Sequence, residues 1–188
     1  MEPIQVLAFA GSLRQHSYNR ALLRAAVELA PAQMQIHIFD LSPLPLYNAD
    51  VEAAGTPPAV RTFQRQIAAA DALLIATPEY NYSVSGVLKN ALDWASRRLS
   101  AEEPPALNGK PAAILGAGGR FGTVRAQAHL RYILLHNDVK VLNKPELMVP
   151  RAGQFFDEEG RLVDEELRER LRELLDALYE WTLLFRHR

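Results

Sequence analysis

Short apolar runs alternate along the chain with longer segments of helical periodicity. The runs that predict strands are Ile4–Ala10, Gln35–Phe39, Ala72–Thr77, Lys110–Leu115 and Val139–Leu142. The pattern leaves open whether Glu146–Val149 extends the fifth strand. Helical periods predict helices over residues 19–30, from Pro57-Pro58 to about Ala70, from Val84 to about Leu99, over residues 123–136 and from about Asp164 to Phe185.

This alternation indicates a parallel sheet, because strands separated by helices of ten or more residues are connected by right-handed crossovers. Five strands suit an α/β fold of the flavodoxin-like kind, a three-layer sandwich with sheet order 2-1-3-4-5 and helices on both faces. No repeat or linker interrupts the pattern, so we expect a single domain over residues 1–188. The last helix carries apolar residues at a 4-3 spacing, which favours packing on the sheet over contact with another subunit.

Composition and charge narrow the classes of function. The 188 residues carry a formal net charge of −1, which provides no electrostatic footprint for nucleic acid or for a membrane surface. The chain has no cysteine, which excludes disulfides and thiolate chemistry, and its five histidines form no HExxH pair, so we expect no metal site. No leader-like segment or apolar run of about 20 residues is evident, and we expect a cytoplasmic protein.

The loop after the first strand, residues 11–19, has the composition of an anion site. It ends at a predicted helix N-terminus, where backbone N–H groups and the helix dipole favour negative charge. Ser12 and Ser17 add hydroxyl groups, Arg14 adds a positive charge and Asn19 adds an amide. This set suits a phosphomonoester. An ordinary capped helix with a solvated arginine explains the same residues equally well.

The loop after the third strand, Pro78 to Gly86, carries aromatic and hydrogen-bonding side chains together. Tyr80 and Tyr82 could cover a flat ring, and Glu79 and Asn81 could hydrogen-bond the rim of a heterocycle. The alternative is that the tyrosines cap the core. Four residues of the following helix are expected to serve helix packing and surface pairing, namely Lys89, Asn90, Asp93 and Trp94.

The loop after the fourth strand is rich in glycine, with four glycines in residues 116–122. Such a backbone can lie against a ligand and direct its N–H groups to it. The ends of strands one, three and four are neighbours at the switch point of a 2-1-3-4-5 sheet. A phosphate site beside aromatic and backbone surfaces indicates a bound flavin mononucleotide, FMN.

At these residues the chain resembles the NADPH-dependent FMN reductase family, which includes bacterial quinone, chromate and azo-dye reductases. The residues from Gly11 to Asn19 are similar to the family's GSxRxxSxN phosphate loop, and the stretch from Pro78 to Trp94 resembles its PEYN…LKNAIDW motif. Residues 125–131 also resemble the family. Ser85 stands where the family often has proline, and we expect it to loosen the turn.

The resemblance implies that the protein is a flavoenzyme, an FMN-dependent NAD(P)H oxidoreductase that passes hydride through FMN to quinones or to similar acceptors such as chromate, azo or nitro compounds. It also implies a homodimer or homotetramer. The implied FMN-binding residues are Ser12, Arg14, Ser17, Tyr18, Asn19, Pro78, Glu79, Tyr80, Asn81, Gly116, Ala117, Gly118 and Gly119. No catalytic acid or base is implied, because the flavin carries the chemistry.

Two further expectations concern charge. Arg120 and Arg125 could attract the phosphates of the co-substrate, NADPH or NADH, although the residues slightly favour surface or interface ion pairs for both. A flavodoxin-like carrier that binds FMN without using NAD(P)H is the alternative function. Carriers of that kind tend to be strongly acidic, and a net charge of −1 argues against it.

Overall fold

A parallel sheet forms the centre of the computed structural model, which describes residues 2–98, 100 and 102–186. Its strands are β1 (Ile4–Ala10), β2 (Met34–Phe39), β3 (Ala72–Ala76), β4 (Pro111–Ala117), β5 (Lys140–Val141) and β6 (Leu147–Val149). Neighbouring strands follow the order β2-β1-β3-β4-β5, and each pairing is parallel. The predicted sheet order is therefore confirmed.

The fifth strand position is filled by two short strands. Lys140 and Val141 pair with Pro111 and Ala112 at the start of β4, and β6 pairs with residues 115–117 at its end. Pro145 lies between them and has no N–H to donate to a strand ladder. The run at 146–149 thus continues the same edge of β4 after an interruption.

Helices cover both faces of the sheet. They are α1 (Tyr18–Leu29), α2 (Ala49–Ala54), α3 (Pro58–Ala69), α4 (Gly86–Ala95), α5 (Val124–His136) and α6 (Glu165–Leu183), with a short 3₁₀ helix at Ala152–Phe155. Alternate residues of β1 point to opposite layers. Val6 and Ala8 pack with α1 and α6, and Leu7 and Phe9 pack with α3, α4 and α5. This is the expected three-layer sandwich.

Some element boundaries differ from the predictions. Helix α2 was not predicted, because its six residues have no buried side chain and so leave no apolar period in the sequence. Helix α4 begins at Gly86, after its N-cap Ser85, and ends at Ala95; the predicted end at Leu99 lies outside the described residues. Helix α6 packs on the sheet as expected, with Leu171 and Leu178 fully buried.

Candidate active site

Three loops meet around a cavity of about 600 Å³ at the carboxyl ends of β1, β3 and β4. That volume is in the usual range for small-molecule sites, about 300–1,000 Å³. The cavity brings together the predicted cofactor residues except Asn81 and Gly116. Its lining consists of Ser12, Arg14, Ser17, Tyr18, Asn19, Pro78, Glu79, Tyr80, Ala117, Gly118, Gly119, Arg151, Ala152 and Gly153.

The first loop presents hydrogen-bond donors at the start of α1. Ser17 is the N-cap, and its Oγ accepts a hydrogen bond from the Arg20 N–H at 3.4 Å. Ser12 is buried, yet its hydroxyl bonds no other residue in the described part of the chain. The first turn of α1 contains no acidic residue. The helix N-terminus therefore retains its preference for an anion.

Arg14 and Tyr18 form one side of this loop. The Arg14 guanidinium lies 5.4 Å from the centre of the Tyr18 ring, within cation–π range. The Tyr18 ring in turn stacks on Phe156, with ring centres 5.2 Å apart. Tyr18 thus links the first loop to the segment that follows β6.

The Asn19 side chain, predicted to contact the phosphate, is hydrogen-bonded to the third loop. Its Nδ2 donates to the carbonyl oxygen of Ala117 at 2.9 Å, and its Oδ1 accepts from the Ala117 N–H at 2.9 Å. Both ends of the buried amide are therefore paired with the backbone at the end of β4. Asn19 lines the cavity, but its hydrogen bonds hold the first and third loops together.

The second loop contains a tight two-residue turn. Tyr80 and Ser83 exchange backbone hydrogen bonds of 3.0 and 3.1 Å across it. Asn81 and Tyr82, the two central residues, both have positive φ, at 51° and 65°. This backbone is uncommon for a tyrosine and recurs at functional sites. The turn leaves Tyr80 and Tyr82 exposed, so they do not cap the core.

Ser85 does not loosen the second loop, and that expectation is wrong. Its Oγ donates to the Gly11 carbonyl oxygen at 2.6 Å and accepts from the Leu88 N–H at 3.1 Å. One hydroxyl thus caps α4 and fastens the second loop to the first. The hydroxyl provides an attachment that proline cannot make.

Glu79 directs its carboxylate at the start of α5. It accepts hydrogen bonds from the N–H groups of Arg125 and Ala126, at 2.9 and 3.1 Å, and from the Arg125 guanidinium at 2.9 Å. Burial alone would raise the pKa of Glu79, but these hydrogen bonds hold its pKa below the ordinary value. The carboxylate is therefore charged and hydrogen-bonded to the start of α5. The predicted hydrogen bond to the edge of the flavin ring would have to come from other atoms of the loop.

The third loop offers backbone at close range. An added Cβ at Gly119 would meet no atom within 4 Å, so the backbone there opens onto free space. An added Cβ at Gly116 would instead overlap the Thr123 hydroxyl and the Thr77 carbonyl oxygen. Gly119 is thus the position where a ligand can approach the chain, whereas Gly116 is required for packing.

A second cavity of about 310 Å³ adjoins the first and shares Glu79 and Gly119 with it. The remaining lining residues are Asn81, Tyr82, Arg120, Phe121, Gly122 and Arg125. The Arg125 guanidinium lies 4.0 Å from the Tyr82 ring centre and 4.8 Å from that of Phe121. Arg120 lies over the same Phe121 ring at 5.1 Å. Of the two arginines predicted to contact the co-substrate, Arg125 is ion-paired with Glu79.

Three lining residues were not predicted from the sequence, namely Arg151, Ala152 and Gly153. They follow β6, and the N–H groups of Arg151 and Ala152 donate to the carbonyl oxygens of Gly119 and Gly118. No turn motif marks them, but their place after an apolar run next to β4 could have drawn attention to them.

Among the described residues, no group of three or more His, Cys, Asp or Glu could hold a metal ion. No helix in the described ranges has the length and apolarity to cross a bilayer.

Several known proteins resemble this chain over nearly its whole length. The sequence model for NADPH-dependent FMN reductases matches residues 4–154. An NAD(P)H-dependent FMN reductase of Pseudomonas aeruginosa is 57% identical over 181 residues, which is 96% of each chain. An NADPH:quinone oxidoreductase of Arabidopsis thaliana is 48% identical over 96% of this chain and 92% of the relative.

A solved structure extends the comparison to the fold. The flavoenzyme NAD(P)H:(acceptor) oxidoreductase FerB from Paracoccus denitrificans superposes with a TM-score of 0.85 at 32% identity. The match covers 97% of this chain and 98% of FerB. The match to the family model and the identity to these relatives show that the chain belongs to the NADPH-dependent FMN reductase family.

Proposed function

We propose that this protein is a single-domain NAD(P)H:quinone oxidoreductase that holds FMN in the cavity between the three loops. The observation that carries the proposal is the α1 N-terminus, with Ser12, Ser17 and Arg14, opening onto the same cavity as Tyr80 and Gly119. Quinones are the proposed acceptors because relatives from plants and bacteria are named quinone reductases.

The residues present fit FMN. The Ser12 hydroxyl, which bonds no other described residue, the α1 N-terminus without an acidic residue in its first turn and the Arg14 guanidinium are the donors that a phosphate requires. The second and third loops supply the flat surfaces that a ring requires, from Pro78, Tyr80 and the backbone at Gly118 and Gly119. Bound FMN would supply the redox chemistry, by taking hydride from NAD(P)H and delivering it to an acceptor.

The protein's own residues bind and orient. We assign phosphate binding to Ser12, Arg14 and Ser17, with Tyr18 beside them, and ring contact to Pro78, Tyr80, Gly118 and Gly119. Asn19, Glu79 and Gly116 hold the three loops in position, and Asn81 forms the turn. Backbone N–H groups of the second and third loops are the candidate donors to negative charge that develops on the ring. No side chain is assigned as acid or base.

The proposed co-substrate surface is the second cavity. Its open aromatic side chains, Tyr82 and Phe121, could stack with a nicotinamide or a quinone, and Arg120 could meet a phosphate. An open cavity of this kind predicts broad acceptor use, including azo, nitro and chromate compounds.

We further propose a homodimer or homotetramer in the cytoplasm. Tyr132 and Leu135 on α5 are exposed apolar side chains that a contact between subunits would cover.

An anaerobic titration tests the function. The purified protein, reconstituted with FMN, is mixed with NADPH while its visible spectrum is recorded, and benzoquinone is then added. Bleaching by NADPH and recovery with benzoquinone are the expected results. A protein that cannot be reconstituted with FMN refutes the proposal, and an FMN complex that NADPH fails to bleach points instead to an electron carrier. Sedimentation velocity checks the oligomeric state separately.

A further inference from the structure

Arg151 occupies a backbone position that an arginine rarely adopts. Its φ of 49° lies in the left-handed region, between the end of β6 and the 3₁₀ helix. The conformation is fixed by two backbone hydrogen bonds to the third loop, Arg151 N–H to Gly119 O at 2.7 Å and Ala152 N–H to Gly118 O at 3.0 Å. These bonds place Arg151 at the wall of the 600 Å³ cavity.

Two arginines, Arg14 and Arg151, line this cavity. Within the described residues, neither Arg14 nor Arg151 forms an ion pair, and Glu79 is the one acidic residue in the cavity lining. Glu79 is already paired with Arg125 and with the start of α5. The cavity is therefore left with two uncompensated positive charges beside a helix N-terminus.

That charge matches a phosphate monoester, which carries close to two negative charges at neutral pH. Arginine presents several N–H donors in a planar fork that suits phosphate oxygens. Glycine would adopt a φ of 49° more readily than arginine. An unfavourable backbone conformation at a residue that lines the cavity fits a ligand contact better than a structural role.

We propose that Arg151 is a phosphate-binding residue of this site, in addition to Arg14. The inference rests on the proposed function, because the phosphate would come from FMN or from the reduced nicotinamide co-substrate. Both sources present the same chemistry to a guanidinium group. The experiment below separates them.

Three substitutions at position 151 separate charge from backbone effects. Arg151→Ala and Arg151→Gly both remove the guanidinium, and Arg151→Gly also relieves the left-handed backbone. Arg151→Lys retains a positive charge without the fork. Arg65→Ala is the matched control, because Arg65 is exposed on α3 and lines a different cavity. Thermal unfolding of each apoprotein establishes that the variants fold.

Flavin binding is measured by fluorescence titration with FMN and with riboflavin, which lacks the phosphate. In Arg151→Ala and Arg151→Gly the Kd for FMN should rise roughly ten- to a hundredfold, while the Kd for riboflavin changes little. Arg151→Lys should recover part of the FMN affinity, and Arg65→Ala should match the unsubstituted protein. This result assigns the phosphate to FMN.

Calorimetric titration of the FMN-loaded proteins with NADP⁺ tests whether the phosphate belongs to the nicotinamide co-substrate. Unchanged FMN affinity with weaker NADP⁺ binding supports the inference and assigns the phosphate to the co-substrate. Equal losses for FMN and riboflavin, or no change for FMN and NADP⁺, would overturn the role of Arg151. If the unsubstituted protein binds no FMN, the proposed function fails first; if it binds FMN and position 151 has no effect, only this inference fails.

Discussion

Several polar side chains at the site bind the backbone of neighbouring loops instead of pointing into the cavity. Asn19 pairs with Ala117, Ser85 with Gly11, and Glu79 with the start of α5. Each bond joins segments far apart in the sequence. The rigidity of the cavity therefore depends on single residues whose own atoms need not touch a ligand.

Ser85→Ala should destabilise the protein by about 1–2 kcal/mol. The substitution removes the oxygen that accepts the Leu88 N–H at the start of α4, and it leaves the buried Gly11 carbonyl without its donor. Urea denaturation of the apoprotein measures the change. Ser96→Ala is the comparison for purely local hydroxyl bonds, because the Ser96 Oγ bonds only Asp93 and Arg97 among the described residues and lies outside the cavity lining. Equal stability of Ser85→Ala and the unsubstituted protein would contradict the role given to this hydroxyl.

Two glycines of the third loop should respond in opposite ways to alanine. Gly116→Ala places a methyl group against the Thr123 hydroxyl and the Thr77 carbonyl oxygen, and should cost about 1–3 kcal/mol or more in unfolding free energy. Gly119→Ala meets no protein atom and should leave stability unchanged while weakening FMN binding. Thermal unfolding and flavin titration of both variants measure these effects. A stable Gly116→Ala variant would show that the packing argument is wrong.

At the scale of whole elements, α5 depends on a carboxylate from another loop for its N-terminal hydrogen bonds. Its N-cap residue, Thr123, forms no capping bond with its side chain, and Glu79 accepts from the first N–H groups instead. Position 79 therefore fixes where α5 begins relative to β3. The carboxylate also neutralises the end of the helix dipole.

Glu79→Gln should lower stability near neutral pH by about 1–2 kcal/mol, the magnitude of a lost charged cap. The folded pKa of Glu79 is depressed, so its contribution is present above the unfolded pKa of about 4.3 and is lost as the pH falls through the folded pKa. The difference between the two proteins should therefore shrink in the acid range below about pH 4.3. Denaturation curves from pH 7 to pH 3 measure it, with the exposed Glu173→Gln as control.

The sequence predicts helices and strands correctly where buried side chains produce a regular pattern of apolar residues. It does not predict an element that buries no side chain. The largely buried runs of β1, β3 and β4 were predicted to within a residue or two, because both faces of each strand are covered. Helix α2 buries no side chain and left no pattern. Pro145 marks a break in this last run of the sequence, but the apolar pattern does not show that both short strands pair with β4.

For the whole molecule, cofactor binding should be coupled to stability. The site is assembled from four separate segments of the chain, residues 12–19, 78–80, 117–119 and 151–153, so the folded state binds FMN and the unfolded chain does not. At an FMN concentration of 100 times the Kd, the gain is about 2.7 kcal/mol, or roughly 5–11 °C in Tm for a chain of this size. Scanning calorimetry with and without FMN measures the shift. Arg14→Ala, with weaker phosphate binding, should show a smaller shift at the same FMN concentration.

The family, the class of enzyme and FMN as its flavin were predicted from the sequence and are confirmed by the family match and the relatives. Long motifs at a fixed distance carry that information. The hydrogen-bond partners within the site were not predictable in the same way. Nothing local to Asn19 or Glu79 distinguishes an amide or carboxylate that contacts a ligand from one that bonds a backbone 98 or 46 residues away.

The bond between Asn19 and Ala117 also has a consequence for the order of events during synthesis. Until residue 117 has left the ribosome, the amide of Asn19 lacks the backbone groups with which it pairs in the folded protein. A nascent chain that ends before β4 should therefore be unable to capture flavin, even though the phosphate-loop sequence has long since emerged. Cofactor loading is then a late step, and a truncated product should neither retain nor sequester the cellular flavin.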